Sequence, residues 1–152
     1  MQRFRHPRAF VAVLIAMCSA VLVIVAGSAW AGSARSSADS EINVTMGKPQ
    51  EYSLKAGPVS AKAGEVALVV RNRGKITHEF ILLRTPIKAG KLKPRPEEPS
   101  KVVEPGFLLE LEDVEPGDRV TIVMPMKKGH YVLLCNIEGH YGNGMRADLT
   151  LK

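Results

Sequence analysis

Cysteine is scarce in this chain, which limits the ways in which the fold can be stabilised. Only two cysteines occur among the 152 residues, Cys18 and Cys135. Cys18 lies within an apolar run near the N-terminus, where we interpret it as a small hydrophobic residue. Cys135 is then the single thiol of the remaining chain, so no disulfide can form there. An unpaired thiol in an oxidising compartment is a liability unless something uses or shields it.

A strong excess of positive charge is also missing from most of the chain. The formal net charge is +6, but Arg3, Arg5 and Arg8 supply three of the 21 basic residues. The rest has 18 basic and 15 acidic residues, a net charge of only +3. This balance argues against a nucleic-acid partner. A local excess of lysine and arginine at residues 88–95 favours a solvated loop over a docking site for an acidic partner.

Only one long hydrophobic run is present, and it lies at the N-terminus. The uncharged residues 9–30 follow the three arginines and lead into Ala29-Trp30-Ala31. This pattern is typical of a secretory signal peptide over residues 1–31. The run also reaches the lower limit for a bilayer span, so an uncleaved membrane anchor is the alternative. Both interpretations predict export to the periplasm or the outer face of the cytoplasmic membrane, with residues 32–40 as a flexible linker.

Helical periodicity is absent from residues 32–152, which argues against a helical domain. Short apolar runs separated by glycine and proline turns are typical of β-strands. About eight such runs in residues 41–152 predict one all-β domain, a Greek-key β-sandwich. Residues 107–111 fit a strand or a short helix, and we interpret them as a strand. Residues 85–106 contain five of the ten prolines and predict an irregular surface excursion.

The predicted strands are short runs rich in apolar and β-branched residues between turn signals, and the first and last of them alternate apolar and polar residues. They cover residues 42–46, 52–54, 59–61, 66–70, 76–83, 107–111, 120–124, 131–135 and 146–151. A turn is predicted at residues 55–58, because glycine and proline end that stretch.

The stretch that ends at Met145 combines three side chains that bind soft metals. Cys135, His140 and Met145 form a C-x4-H-x4-M pattern. In a strand, Cys135 shares a face with Tyr131 and Leu133, so we expect it to point into the core. Three glycines in the following loop allow His140 and Met145 to fold back towards the thiol.

A further ligand is expected from an earlier strand. If Phe80 and Leu82 face the core, His78 lies on the same face. A cysteine thiolate, two histidines and a weak methionine are the ligands of a blue-copper electron-transfer site. Each of these residues has a separate explanation in packing or loop structure. Their conjunction is what favours a metal.

Other histidines and acidic residues give internal comparisons for this prediction. His130 is out of phase with Tyr131 and Cys135 and is expected on the opposite face of the strand. Glu79 is expected to point away from the face of His78 for the same reason. A copper oxidase or reductase needs more histidines than His78, His130 and His140, so we do not expect an enzyme.

Taken together, these motifs resemble the cupredoxins, the small type 1 blue copper proteins, with rusticyanin-like and plastocyanin-like members. The similarity covers about residues 41–152, and the C-x4-H-x4-M spacing is closer to rusticyanin-like members than to plastocyanin. Four short motifs carry it: Thr77-His78-Glu79-Phe80, Glu115-Pro116-Gly117-Asp118, Gly129-x-Tyr131-x-x-x-Cys135 and Gly139-His140-x-x-x-Gly144-Met145.

The resemblance implies one type 1 copper ion near one end of a Greek-key sandwich. The implied ligands are His78, Cys135, His140 and an axial Met145. It further implies that His140 lies near the surface and passes the electron, with Tyr141 in the same electron-transfer and docking patch. Thr77 stands where many members have asparagine, and its side chain could hydrogen-bond the ligand loop.

Electron transfer is the function that this ligand set predicts. The site would carry single electrons between redox protein partners, in a monomeric protein without a substrate. A periplasmic copper carrier or chaperone is the alternative, although such a protein is expected to have a more exposed site. A metal-free interaction domain is the third possibility, and it would make the ligand set a coincidence.

Overall fold

A computed structural model describes residues 38–152 of the chain. The predicted signal peptide or anchor and most of the predicted linker lie outside the described residues. Asp39 and Ser40, the end of that linker, already join the domain. The Asp39 carboxylate accepts a hydrogen bond from the Glu65 amide (3.0 Å), and Ser40 begins the first strand. No helix among the described residues is long and apolar enough to cross a membrane.

The described residues form nine strands and one short 3-10 helix. The strands are β1 (Ser40–Met46), β2 (Leu54–Gly57), β3 (Ser60–Ala61), β4 (Gly64–Asn72), β5 (His78–Arg84), β6 (Phe107–Val114), β7 (Arg119–Met126), β8 (Gly129–Leu134) and β9 (Arg146–Leu151).

The strands are arranged in two sheets. One sheet has four strands in the order β2-β1-β4-β7, and the other has five in the order β3-β9-β8-β5-β6. The chain changes sheet five times, between β2 and β3, β3 and β4, β4 and β5, β6 and β7, and β7 and β8. The all-β prediction is confirmed, and the two sheets pack against each other as a sandwich.

The main core lies between the two sheets and follows the predicted alternation. Ile42, Val44 and Met46 of β1 point into it, as do Tyr131 and Leu133 of β8. Burying a large aliphatic side chain contributes roughly 1.5–3 kcal/mol. Alternation in β1 therefore decides which face of that strand is buried, whereas β8 is buried on both faces.

A second apolar cluster lies on the other side of the five-stranded sheet. The segment between β5 and β6 runs over this face, with a 3-10 turn (Ala89–Lys91) and a bridge between Pro94 and Val102. We refer to residues 85–106 as the cover segment. The cluster consists of Ile81, Leu83, Ala89, Leu92, Val102, Val132, Leu134 and Tyr141.

The cover segment differs from the surface excursion that its prolines predict. Ala89, Leu92 and Val102 are buried, because they fill the outer face of β5 and β8. Lys88, Lys91 and Lys93 are exposed, as expected of a solvated loop. Prolines exclude a regular ladder here, but they do not prevent three apolar side chains from packing.

The position of β2 differs from the prediction, whereas the strand interpretation of residues 107–111 is confirmed. β2 covers Leu54–Gly57, where the sequence indicates a turn, and it pairs antiparallel with β1. Residues 107–111, ambiguous in the sequence, belong to β6, which pairs with β5. In both cases pairing with a neighbouring strand decides the local structure, which propensity alone leaves open.

Candidate metal centre

Strand pairing brings the first two predicted ligands to one end of the sandwich. β5 begins at His78, and β8 ends immediately before Cys135. The two strands are antiparallel neighbours, with Ile81 opposite Leu134. The start of β5 and the end of β8 therefore meet at the same edge. Both side chains share the inner face, because His78 alternates with Phe80 and Cys135 alternates with Leu133.

The loop between β8 and β9 folds back on itself through a series of tight turns. The amide of His140 donates to the carbonyl of Ile137 (2.9 Å), and the amide of Met145 donates to the carbonyl of His140 (3.2 Å). Gly139 and Gly144 have φ angles of 76° and 112°, a region that favours glycine. The Cys135 amide donates to the Met145 carbonyl (3.0 Å), which closes the loop.

Three of the four predicted ligands meet in a buried group. The ligand atoms of His78, Cys135 and His140 all lie within 4.8 Å of one another. The Nδ1 atoms of the two histidines are 3.4 Å apart, and Cys135 Sγ is 3.3 Å from His140 Nδ1. Metal–nitrogen and metal–sulfur bonds of about 2.0 and 2.3 Å place ligand atoms about 3.3–3.7 Å apart. These two separations suit a shared metal ion without rearrangement of the backbone.

Met145 is positioned beside this group by the backbone of the loop. Its side chain is fully buried in the main core cluster, which also contains Cys135. The Met145 amide donates a hydrogen bond to the His140 carbonyl, and the Met145 carbonyl accepts one from the Cys135 amide. Its role as an axial ligand stays a prediction.

Burial sets the protonation of the three clustered side chains. It raises the pKa of the Cys135 thiol to about 11, against the weaker opposing effect of the Glu79 amide, which donates to the sulfur (3.3 Å). Burial lowers the pKa of both His78 and His140. Both imidazoles are therefore neutral at neutral pH and able to bind a metal, whereas the thiol must first lose a proton.

Glu51 is a part of the site that the sequence did not indicate. Its Oε1 lies 3.2 Å from Nε2 of His78, the ring nitrogen that faces away from His140. Backbone hydrogen bonds, first that of Lys75, lower the pKa of the Glu51 carboxyl, so it is ionised at neutral pH. Glu51 lies in the β1–β2 loop, where no periodic pattern relates it to the ligands.

Thr77 and Tyr141 do not have the neighbours expected of them. The Thr77 hydroxyl donates to Glu115 (2.9 Å) instead of reaching the ligand loop. Tyr141 was expected beside His140 in an exposed patch, but its ring packs in the second cluster under the cover segment. Its hydroxyl donates to the carbonyl of Ala89 (2.5 Å) and accepts from the amide of Leu92 (3.2 Å).

Tyr52 takes the place beside His140 that was expected for Tyr141. The two rings meet edge to face, with centroids 5.1 Å apart. Tyr52 is 40% exposed, whereas His140 and Tyr141 are each 8% exposed. The accessible aromatic ring next to the ligand loop therefore comes from the opposite sheet's β1–β2 loop.

His130 and Glu79 lie away from the ligand atoms, as predicted. The ring of His130 is held between the carbonyl of Thr85 (2.6 Å) and the carboxylate of Asp148 (2.7 Å). The side chain of Glu79 lies near Glu110 and Lys101, and burial followed by the Glu110 carboxylate raises its pKa to about 7. Among the described residues, the candidate metal-binding group thus contains only His78, Cys135 and His140.

The chemistry of the donor set is that of a copper site. One thiolate and two imidazoles in a dry pocket suit both oxidation states of copper, and the thiolate in particular favours Cu(I). The buried group of His78, Cys135 and His140 fits a single type 1 copper ion.

Solved structures with a similar fold include the cupredoxins auracyanin and rusticyanin. Auracyanin from the photosynthetic bacterium Roseiflexus castenholzii matches with a TM-score of 0.57 and 16% identity, over 76% of this chain and 98% of its own. Rusticyanin from Thiobacillus ferrooxidans matches with a TM-score of 0.56 and 16% identity, over 76% of this chain and 79% of its own. No family model and no curated protein matches the sequence. The chain therefore has a cupredoxin-like fold, and its function must be argued from the site.

Proposed function

We propose that this protein is an exported blue copper protein that carries single electrons between redox proteins and is not itself an enzyme. One observation carries the proposal. Two neutral imidazoles and one thiol converge within 4.8 Å in an almost wholly buried group at the end of the sandwich. A type 1 copper ion bound there supplies a one-electron couple between Cu(I) and Cu(II).

The protein would hold the ligands in one arrangement for both oxidation states. Cys135 is held by two hydrogen bonds. Its amide donates to the Met145 carbonyl, and its sulfur accepts from the Glu79 amide. His78 is fixed at the start of a strand and by Glu51. Because these groups are held by packing and hydrogen bonds, electron transfer would need little movement of the ligands.

Electrons would enter and leave through the edge of His140. This ligand retains a small exposed area, and it contacts the more exposed Tyr52. A redox partner that covers Tyr52 would come within one side chain of the metal. We therefore place the partner's contact at His140 and Tyr52, and no longer at Tyr141.

A copper carrier is the second candidate, because it would use the same metal. Carriers release their metal to a partner, which favours an exposed and exchangeable site. Here the three clustered ligands are almost wholly buried. Burial therefore favours electron transfer over delivery.

Visible absorption after addition of Cu(II) tests this function. The purified protein should develop an intense blue thiolate-to-copper band that ascorbate bleaches reversibly. Cys135→Ser should abolish the band. His130→Gln is the matched histidine control and should retain it, because His130 lies outside the ligand group.

Two results would lead to a different function. A colourless protein that still binds Cu(I) tightly would point to a copper carrier. A protein that binds Zn²⁺ but forms no blue band with copper would show that the three side chains form a structural zinc site. Either result would exclude electron transfer.

A further inference from the structure

We propose that Glu51 is a positioning residue that orients His78 and, through its negative charge, lowers the reduction potential of the metal centre. The inference rests on the proposed function and adds the feature that sets the relative stability of the two oxidation states. Glu51 acts through the ring of His78 and does not contact the metal position itself.

The Glu51 carboxylate is fixed from two sides. Its oxygens accept hydrogen bonds from the amide of Lys75 (2.9 and 3.0 Å), and Oε1 also accepts from the amide of Ile76 (3.4 Å). The third partner is Nε2 of His78, at 3.2 Å from Oε1. The carboxylate thus joins the β1–β2 loop to the residues that lead into β5.

Two glycines make room for this carboxylate. A Cβ atom at Gly74 would lie 2.0 Å from Glu51 Oε1, and one at Gly47 would lie 2.3 Å from the Gly74 backbone. Gly47 also has a φ of 75°, which other residues rarely adopt. The close approach of the two loops therefore depends on glycine at both positions, and the carboxylate occupies the space that a side chain at Gly74 would fill.

The geometry determines which nitrogen of His78 faces the metal position. A neutral imidazole has one N–H and one lone pair. A carboxylate can only accept, so the proton of His78 lies on Nε2 and the lone pair lies on Nδ1. Nδ1 is the nitrogen that is 3.4 Å from Nδ1 of His140. Glu51 thus selects the tautomer that can bind a metal inside the cluster.

The charge of Glu51 also distinguishes between the two oxidation states. A carboxylate that accepts the distal N–H of a ligating histidine raises the basicity of that ligand. A more basic ligand and a nearby negative charge favour Cu(II) over Cu(I), which lowers the reduction potential. Glu51 is 27% exposed on its side chain, so solvent screens this effect only in part.

The main experiment compares the reduction potentials of two variants of the full-length copper protein. Glu51→Gln removes the charge and keeps an oxygen that can accept from the Lys75 amide. Glu115→Gln is the control, because Glu115 accepts from Thr77, the residue before His78, but does not contact the His78 ring. Loss of the side chain that hydrogen-bonds a metal-binding histidine typically lowers the affinity for the metal 10- to 100-fold.

We expect Glu51→Gln to lower the affinity for Cu(II) relative to Cu(I) by at least about tenfold, which raises the potential by about 59 mV for a one-electron couple. Glu115→Gln should change the potential much less. Equal shifts in the two variants would overturn the proposal, since they would reflect the general charge of this end of the molecule.

A second measurement needs neither a variant nor a metal. The ring nitrogens of His78 in the metal-free wild-type protein, observed by ¹⁵N NMR, should show a protonated Nε2 and an unprotonated Nδ1. The opposite tautomer would overturn the proposal even if the blue site forms. If the wild-type protein forms no blue copper site, the proposed function fails, and this measurement still tests whether His78 has the tautomer that its contact with Glu51 predicts.

Discussion

The two faces of β5 and β8 are both buried, but they are buried in different ways. The inner face packs against the four-stranded sheet, and Cys135 continues this face just beyond the end of β8. The outer face packs against the cover segment, and Tyr141 of the ligand loop belongs to it. The inner face therefore carries the ligands, while the outer face carries the elements that hold the ligand loop in place.

This comparison shows how a short ligand loop serves two layers of the protein at once. His140 points towards the thiol on the inner side, whereas the next residue, Tyr141, points into the outer cluster. His140 is thus the candidate metal ligand, and the adjacent Tyr141 anchors the ligand loop in the outer cluster. The predictions below separate these two roles, beginning with the largest expected effect.

The largest effect concerns the inner face and the proton of Cys135. Its pKa of about 11 means that the metal-free thiol is protonated at pH 7. Losing that proton costs roughly 5 kcal/mol at this pH, since each pKa unit corresponds to about 1.4 kcal/mol. Cu(II) binding should therefore release about one proton, and affinity should rise about tenfold per pH unit between pH 7 and 9. Calorimetry in buffers of different ionisation enthalpy measures the release, and no proton release would contradict a buried neutral thiol.

The next effect compares adjacent residues on the two faces. Leu134→Ala, on the outer face, should lower the free energy of unfolding by about 2–5 kcal/mol and leave the wavelength of the blue band unchanged. Leu133→Ala, on the inner face beside Cys135, should cost a similar amount and also shift the band. Urea unfolding and visible spectra measure both. A loss below about 1 kcal/mol for Leu134→Ala would show that the cover segment packs loosely.

Glu79 supplies a smaller and pH-dependent effect on the metal-free protein. Its pKa of about 7 in the folded state exceeds the ordinary value of 4.5, so the folded state binds the proton more tightly. Stability should therefore fall as the pH rises from about 4.5 to 7. Glu79→Gln should stabilise the protein by about 1–3 kcal/mol at pH 8 and by almost nothing at pH 4. The exposed Glu112→Gln is the control in urea unfolding, and an equal gain in it would contradict a specific cost at Glu79.

The smallest effect tests the corrected position of Tyr141. Tyr141→Phe loses two hydrogen bonds to the cover segment and should cost about 1–2 kcal/mol of stability, with an unchanged reduction potential. Tyr52→Ala should instead slow electron exchange between copies of the protein, because Tyr52 is the more exposed ring that contacts His140. Slower exchange in Tyr141→Phe but not in Tyr52→Ala would return the electron path to Tyr141.

The sequence predicted the parts of the site that depend on local periodicity. Alternation placed Cys135 and His78 on inner faces, and the glycine-rich loop predicted the return of His140. Glu51 could not be predicted, because its contact requires two loops from different parts of the chain to meet. The spacing of residues along the chain does not indicate that these two loops are in contact.

The cover segment did leave a signal in the sequence, although not in its own residues. Ile81-Leu82-Leu83 and Val132-Leu133-Leu134 are continuous apolar runs, whereas a strand with one solvated face alternates. Continuous runs are typical of strands buried on both faces. They required a second layer over β5 and β8, and the proline-rich composition of residues 85–106 obscured which segment provides it.

The side chain of Asn136 gives the cover segment a consequence for the kinetics of the site. Asn136 directly follows Cys135, and its amide accepts from the Val102 N–H (2.8 Å) and donates to the Val102 carbonyl (2.9 Å). The Gly139 amide, one residue before His140, donates to the Ser100 carbonyl (3.1 Å). The ligand loop cannot swing outward without breaking these bonds. We therefore expect a bound ion to leave only when the cover segment opens, in which case a long residence time would not require an especially high affinity.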